Sequence, residues 1–449
     1  MNTKTDSHLL LRDLGEGLTL RRSTPADAEA LADFNSRIHS DFGPDKPDER
    51  IGAWTHDMLR KPHPTFESGD FTIVEDTRTG QIVSSMNLIS QTWTYAGIPF
   101  RVGRPELVGT LVDYRRRGLV RQQFGEVHRW SRERNQMVQA ITGIPFYYRQ
   151  FGYEMAVDLG GGRFGSESQL PRLKEGEVET TLIRPAVEND LPFIMQVSEH
   201  ANRRSLVSCQ WDEPCWRYAL QGMSPKNVER TEICVIETDK GEPIGYLTHP
   251  WFNWNIGLVA KEFELKPGVS WMSVTPALAR YLWKTGAEKA ALDNKPITGY
   301  GFWLGSSHPA YQVFSEKIPT VRDPYAFFVR VPDLAGFMRL IRPVLEKRLA
   351  ESELVVGYSG KLQITFYRTC LEFTFGSGRL LDVTEMLPIS NQEYQAGFPD
   401  LTFLQLLFGY RSFDELQASF ADCWDRSEEA RVLIQVLFPK QYSHVNPLS

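Results

Sequence analysis

The run Val108-Gly109-Thr110-Leu111-Val112-Asp113-Tyr114-Arg115-Arg116-Arg117-Gly118-Leu119-Val120-Arg121 joins a short apolar strand to a basic, glycine-containing turn and then to the start of a helix. Val120, Phe124 and Val127 recur at helical spacing and share one face. A helix that opens on such a turn directs unpaired N–H groups and the positive end of its dipole at one spot. That spot suits a pyrophosphate. Gly118 lets the backbone approach phosphate oxygens, and Arg116, Arg117 and Arg121 add charge. Three arginines before a glycine also read, alone, as a solvated basic turn capping an ordinary helix. The strand before and the helix after give the motif its weight.

A second strand, Met137 to Thr142, leads on to Tyr148-Arg149-Gln150-Phe151-Gly152-Tyr153. With these residues the segment resembles the GNAT superfamily of N-acetyltransferases, whose phosphate signature is Gln/Arg-x-x-Gly-x-Gly/Ala. Arg115-x-x-Gly118-x-Val120 matches it except at the last place, and Tyr148 stands four residues before the Gly152-Tyr153 pair, as the family's second landmark does. The resemblance implies acetyl-CoA as the acyl donor. It places Val108, Gly109 and Thr110 beside the thioester, with Gly118, Leu119 and Val120 at the phosphates. Gly143 and Ile144 would border the pantetheine, and Tyr148 would be the general acid that protonates the departing thiolate. Without the family spacing, Tyr147 and Tyr148 read as aromatic packing near a helix end.

Two groups compete as the base that deprotonates the amine. Glu106 heads the strand, and simple alternation puts it on one face with Val108 and Thr110. The other is the main-chain carboxylate of Ser449, a role the resemblance described below implies; the sequence there reads Asn446-Pro447-Leu448-Ser449. Its competing reading is a frayed terminus.

At 449 residues the chain exceeds one ordinary core, so two to four domains are expected. Leu182-Ile183-Arg184-Pro185-Ala186-Val187-Glu188-Asn189-Asp190 echoes Leu20 to Asp27, and the strand pattern that follows repeats too. This implies a duplicated domain. The second copy has Trp271-Met272-Ser273-Val274-Thr275-Pro276 where the phosphate loop should fall, with no Arg-x-x-Gly. From Val331 onward a helical run, Leu334 to Leu349, precedes expected strands Glu353 to Tyr358, Lys361 to Tyr367 and Cys370 to Phe375, and then helices to the end. The expected fold class is mixed α+β: a catalytic domain at 1–165, a degenerate copy at 178–330, and a third α+β domain at 331–449. This architecture resembles the Eis (enhanced intracellular survival) type of acetyltransferase, whose third domain is similar to sterol carrier protein. The resemblance implies acetylation of primary amines, often aminoglycosides, and a homo-oligomer, a hexamer.

The net charge of -6 argues against a general nucleic-acid partner. Leu9-Leu10-Leu11 is far shorter than a signal-peptide core, and no apolar run reaches membrane-spanning length, so a cytoplasmic location is expected. Five scattered cysteines read as free thiols, and nine dispersed histidines form no metal-ligand spacing. Gly305-Ser306-Ser307-His308 lacks the strand-to-elbow pattern of a hydrolase. The rival to an acetyltransferase is a non-catalytic acyl-CoA-binding or scaffold protein with an apolar ligand in the third domain. A milder rival acetylates protein N-termini or lysines. The identity of the acceptor is not written in the motifs.

Overall fold

The computed structural model describes residues 9–389 and 392–449, and the polar octet Met1–His8 lies outside the described residues. The fold is mixed α+β, built on several sheets. The first begins with β1 (Leu10–Gly15), β2 (Leu18–Arg22), β3 (Phe71–Asp76), β4 (Gln81–Tyr95), β5 (Ile98–Thr110), β6 (Val138–Thr142) and β7 (Glu154–Leu159). Long β4 and β5 form a hairpin closed by Ala96-Gly97, both with positive φ, as a two-residue turn between right-twisted strands requires. Helices α1 (Ala28–Ile38) and α2 (Glu49–Arg60) cover one face, where Leu31, Phe34, Trp54 and Met58 pack on Phe71 and Ile89. Helix α3 (Leu119–Glu133) covers the other, with Phe124, Val127 and Trp130 on Met86, Leu88 and Ile141.

Beyond it come β8 (Gly162–Ser166), β9 (Thr181–Pro185), α4 (Leu191–Asn202), β10 (Val207–Gln210), α5 (Glu213–Arg217), β11 (Thr231–Thr238), β12 (Pro243–Pro250), β13 (Val259–Ala260) and β14 (Glu262–Leu265). Then follow α6 (Trp271–Asp293), β15 (Gly299–Phe302), α7 (Pro309–Phe314), β16 (Thr320–Arg322) and β17 (Tyr325–Arg330). One sheet runs β14-β12-β11-β9 and another β13-β15-β8-β16. The repeated sequence carries a repeated ion cluster. Arg21 holds Asp27 at 2.8 Å and Glu75 at 2.7 Å, and Arg184 holds Asp190 and Glu237, each at 2.7 Å.

The sheets do not follow the linear division expected at 165 and 178. Strand β17 lies between β6 and β7 of the first sheet, while β8 joins β15 and β16. Ala326 to Val329 are wholly buried. A strand apolar at consecutive positions is satisfied only where both faces are covered, and the centre of the first sheet supplies that place. Strand β10 pairs with the distal part of β4, outside the main strand order.

The last part contains α8 (Leu334–Leu340), α9 (Arg342–Glu351), β18 (Gly360–Thr365), β19 (Cys370–Gly376), β20 (Arg379–Met386), β21 (Ala396–Gly397), α10 (Phe403–Leu407), α11 (Phe413–Ser419), β22 (Trp424–Asp425) and α12 (Glu428–Leu437). The expected strand Glu353 to Tyr358 is instead a turn, with Leu354 and Val356 in solvent, and it pairs with no strand among the described residues. This part's core is continuous with the tip of the β4–β5 hairpin, where Phe337 packs edge-on to Tyr95 and Phe100. The tail after α12 runs beside β10: Leu206 N–H donates to the Tyr442 carbonyl at 2.8 Å, and His444 N–H to the Val207 carbonyl at 3.1 Å. All five cysteines are buried free thiols. Among the described residues no helix is long and apolar enough to cross a membrane.

Candidate functional site

Parallel strands β5 and β6 pair only at Val102 with Val138 and at Gly103 with Gln139, and then diverge. Beyond that point the backbone groups of β5 that face β6 have no partner in that strand. Such groups seek another hydrogen-bonding chain. The wedge opens toward the start of α3, and a cavity of about 550 Å³ fills its mouth. Val108, Gly109 and Thr110 form one wall, and Gly118, Leu119 and Val120 another. Arg116, Arg121, Ile144 and Tyr148 also line it. Ten of the residues expected from sequence are thus brought together.

The helix start has the conformation its chemistry needs. Gly118 caps α3 with φ +74°, a left-handed conformation costly to side chains, and supplies no capping side chain of its own. The first backbone bond inside the helix is Gln122 N–H to Gly118 C=O at 3.2 Å. The N–H groups ahead of it remain free for an anion. Arg121 leans over Phe151 and donates to Gln150 at 2.9 Å. Arg117 differs from the other two arginines: it lies over the Tyr114 ring, 3.8 Å from Glu16, and does not line the cavity.

Tyr148 stands at the wedge on an aromatic pedestal of Phe124, Tyr147, Tyr153 and Phe328, the last from inserted strand β17. Burial, reinforced by the Glu106 charge, pushes its phenol well above the usual tyrosine range. It therefore stays protonated at neutral pH, as a proton donor must. Among the described residues its hydroxyl has no hydrogen-bond partner. Gly143 lies outside the cavity wall; a Cβ there would meet the Tyr148 ring at 2.1 Å. Its place is under the tyrosine, which it allows to approach the β6 terminus.

Glu106 is not on the face expected for it. Two residues of β5, Leu107 and Val108, oppose Met86 alone, and Leu107 has φ +52°. This bulge breaks the alternation. Val108 packs with the Phe124 cluster and Thr110 bonds Ser84 at 2.8 Å, whereas Glu106 accepts from Thr142 at 2.9 Å and from Arg104 at 2.6 Å. Arg104, almost wholly buried, also donates to Ser449 Oγ at 2.9 Å. Ser449 itself is 4 % exposed, and Gln91 holds the Leu448 carbonyl at 2.6 Å. The end of the sequence is therefore tied down beside Glu106.

Several contributors have little sequence signal. Ile38 and His39, from the end of α1, line the cavity. Burial holds the His39 imidazole down to about 4, against an opposing bond to the Leu107 carbonyl. Phe328 comes from a strand 180 residues beyond Tyr148 in sequence, counted from their numbers. Arg104 had a signal: it stands two residues before Glu106, and residues i and i+2 share a strand face.

Residues 20–156 match the acetyltransferase (GNAT) domain family. No curated protein sequence gives a significant match. Solved structures align along nearly the whole chain. A probable N-acyltransferase from Enterococcus faecalis aligns at TM-score 0.64 and 13 % identity, covering 95 % of this chain and 97 % of its own. A GCN5-related N-acetyltransferase from Kribbella flavida aligns at 0.62 and 15 %, covering 95 % and 97 %. Eis1 from Mycobacterium abscessus aligns at 0.57 and 12 %, covering 95 % and 99 %. At such identities the likeness is one of fold. The matched segment contains the whole wedge, from β2 to the start of β7.

Proposed function

We propose that this protein transfers an acetyl group from acetyl-CoA to a primary amine, with the chemistry in the β5–β6 wedge. The observation that carries the reading is the convergence at one cavity of an unpaired strand edge, a free helix N-terminus with Arg116 and Arg121, and a protonated Tyr148. The N–H groups at the start of α3 take the pyrophosphate, and Val108 to Thr110 pair with the pantetheine amides as a missing strand would. The amine nitrogen attacks the thioester carbonyl, the C–S bond breaks, and the departing thiolate takes its proton from Tyr148. The amine's proton goes to Glu106 or to the Ser449 main-chain carboxylate; Arg104 bonds both Glu106 and the Ser449 hydroxyl, which supports keeping the two candidates side by side.

The GNAT domain match and the acyltransferase neighbours support this class of reaction. The repeat of the Arg21 ion cluster at Arg184 supports a duplicated domain, and the lack of an Arg-x-x-Gly turn at Trp271 to Pro276 supports its having lost CoA binding. The resemblance read from the sequence makes small polyamines or aminoglycoside-like amines the acceptors to try first, with a hexamer and a third domain related to sterol carrier protein as further proposals; the likeness to Eis1 is one of fold. The decisive test is thiol release with acetyl-CoA across an amine panel, beside the Tyr148→Phe variant. A drop in kcat of about 10²- to 10⁴-fold, with acetyl-CoA affinity kept, is expected for a lost general acid. Full turnover by the variant removes that role. Binding of acetyl-CoA without transfer to any amine leaves a carrier instead of an enzyme. Glu106→Gln and a Gly-Gly extension after Ser449 separate the two bases, since only the true base slows transfer when altered.

A further inference from the structure

We propose, resting on the acyl-transfer reading above, that His63 is a positioning residue whose Nε2–H orients the main-chain carboxylate of Ser449 as the group that takes the amine's proton. His63 lies in the loop between α2 and β3, and adjacent residues of β4 bring that loop and the tail together. Ser90 N–H donates to the Thr65 carbonyl at 3.1 Å, and the Gln91 amide donates to the Leu448 carbonyl at 2.6 Å. Pro64, Thr65 and Leu448 line one cavity of about 500 Å³. Tyr218 packs on the imidazole at 4.4 Å between ring centroids. It opens a π-helical turn, Tyr218–Gly222, and shares an apolar cluster with Trp216 and Leu448. Single π-helical turns are rare and recur at functional sites.

Hydrogen bonding decides which ring nitrogen carries the proton. Thr65 N–H donates to His63 Nδ1 at 3.2 Å, so in the neutral ring the proton is on Nε2. Nε2 is buried and has no hydrogen-bond partner among the described residues. Asp57, whose charge reaches Tyr218, already accepts from Ser224 and Asn227 and faces Lys61. The group that His63 does meet is the Ser449 main chain, which opposes the lowering of the imidazole pKa to about 4 by burial. The ring is therefore neutral at ordinary pH and offers one N–H without adding a positive charge.

The other donors at this end of the tail are engaged elsewhere. Trp211 holds the Asn446 carbonyl at 3.0 Å, Gln91 the Leu448 carbonyl, and Arg104 the Ser449 hydroxyl and Glu106. Both oxygens of Glu106 are also bonded by Thr142, at 2.9 and 3.1 Å. This leaves the Nε2–H of His63 for the Ser449 carboxylate. A buried donor without an acceptor is unfavourable, and a carboxylate offers the stronger, charge-assisted bond.

The test compares His63→Asn with His63→Gln in the full chain. Asparagine reaches the Nδ1 position and keeps the acceptor for Thr65, whereas glutamine reaches the Nε2 position and keeps the donor. One readout is kcat and KM for acetyl transfer to spermidine, kanamycin and n-butylamine; the other is the rate at which carboxypeptidase Y releases Ser449 as free serine. His63→Asn is expected to lower kcat at least about tenfold, for one hydrogen bond to a charged group, with the KM for acetyl-CoA kept. His63→Gln recovers kcat to within a few-fold of the parent. Adding His63→Asn to the Gly-Gly extension after Ser449 costs nothing further, because the two act through one group. Serine release is faster in His63→Asn and parent-like in His63→Gln. If the two variants fold and behave alike in both readouts, or if folded His63→Asn releases serine as the parent does, the role is overturned. A parent that transfers to no amine, or an extension without effect on kcat, also overturns it; serine release that still separates the variants then marks the failure as one of the acyl-transfer reading or its base, not of the His63 contact.

Discussion

Tyr148 depends on a residue that has no functional group. The Gly143 backbone lies so close under its ring that one added methyl would meet it at 2.1 Å. Gly143→Ala therefore displaces the phenol while leaving the phosphate end of the cavity intact. The expected outcome is a fall in kcat of about 10²-fold or more, the low end of what a positioned acid contributes, with acetyl-CoA affinity within a few-fold of the parent by titration. Gly118 has the opposite logic: nothing lies within 4 Å of a Cβ there, but its φ of +74° suits no side chain well. Gly118→Ala is expected to weaken acetyl-CoA binding and to lower stability by roughly 1 kcal/mol, read from a denaturant midpoint. Both glycines are visible in the sequence. The reason for Gly118 is visible with it, in the turn motif, whereas the reason for Gly143 is a ring placed on it by a later segment.

Among elements, β5 decides most. Its hydrophobic pattern identifies a strand, but alternation fails at Leu107, where the bulge turns Glu106 to the opposite face from Val108. A bulge adds one residue without changing composition, so no count of apolar positions reveals it. Strand β14 lacks this insertion and places Glu262 by plain pairing. Burial, with the Glu264 charge adding to it, raises the Glu262 carboxyl from 4.5 to about 7, and the Asn446 and Thr248 contacts oppose this. The folded state thus holds this proton more tightly than the unfolded chain. Its stabilising contribution is complete below about pH 4.5 and is lost as pH rises through 7, a change of about 3 kcal/mol for such a shift. The buried imidazoles His39, His63, His128 and His444 work in the other direction, since their lowered pKa values cost stability as pH falls. The informative quantity is the difference between parent and Glu262→Gln. In urea titrations from pH 5 to 8, the variant should gain on the parent as pH rises. A constant difference would show that Glu262 titrates normally.

Across the molecule, the segment after β9 is joined to the first sheet's helices and strands by charge as well as by strand pairing. Asp57 on α2 is wholly buried, and it accepts from the Ser224 N–H at 2.6 Å and from the Asn227 amide at 3.0 Å, with Lys61 at 3.2 Å. Asp57→Ala leaves these donors without an acceptor, and a loss of about 3 kcal/mol or more is expected in chemical denaturation. Tyr148→Phe should stay within about 1 kcal/mol, since it removes a hydroxyl that bonds no described residue. The same long-range construction explains what was legible beforehand. The helix start after a basic glycine turn, the tyrosine four residues before Gly152, the hairpins and the repeated Arg-Asp-Glu set are all local patterns. Each follows from backbone sterics, dipole direction or side-chain periodicity within some ten residues. The divergence of β5 from β6, the insertion of β17 beneath Tyr148, and the delivery of Ser449 to Arg104 join residues up to 345 positions apart. Such contacts are selected by which buried faces remain to be covered once local elements form, and that competition is resolved only when the whole chain packs.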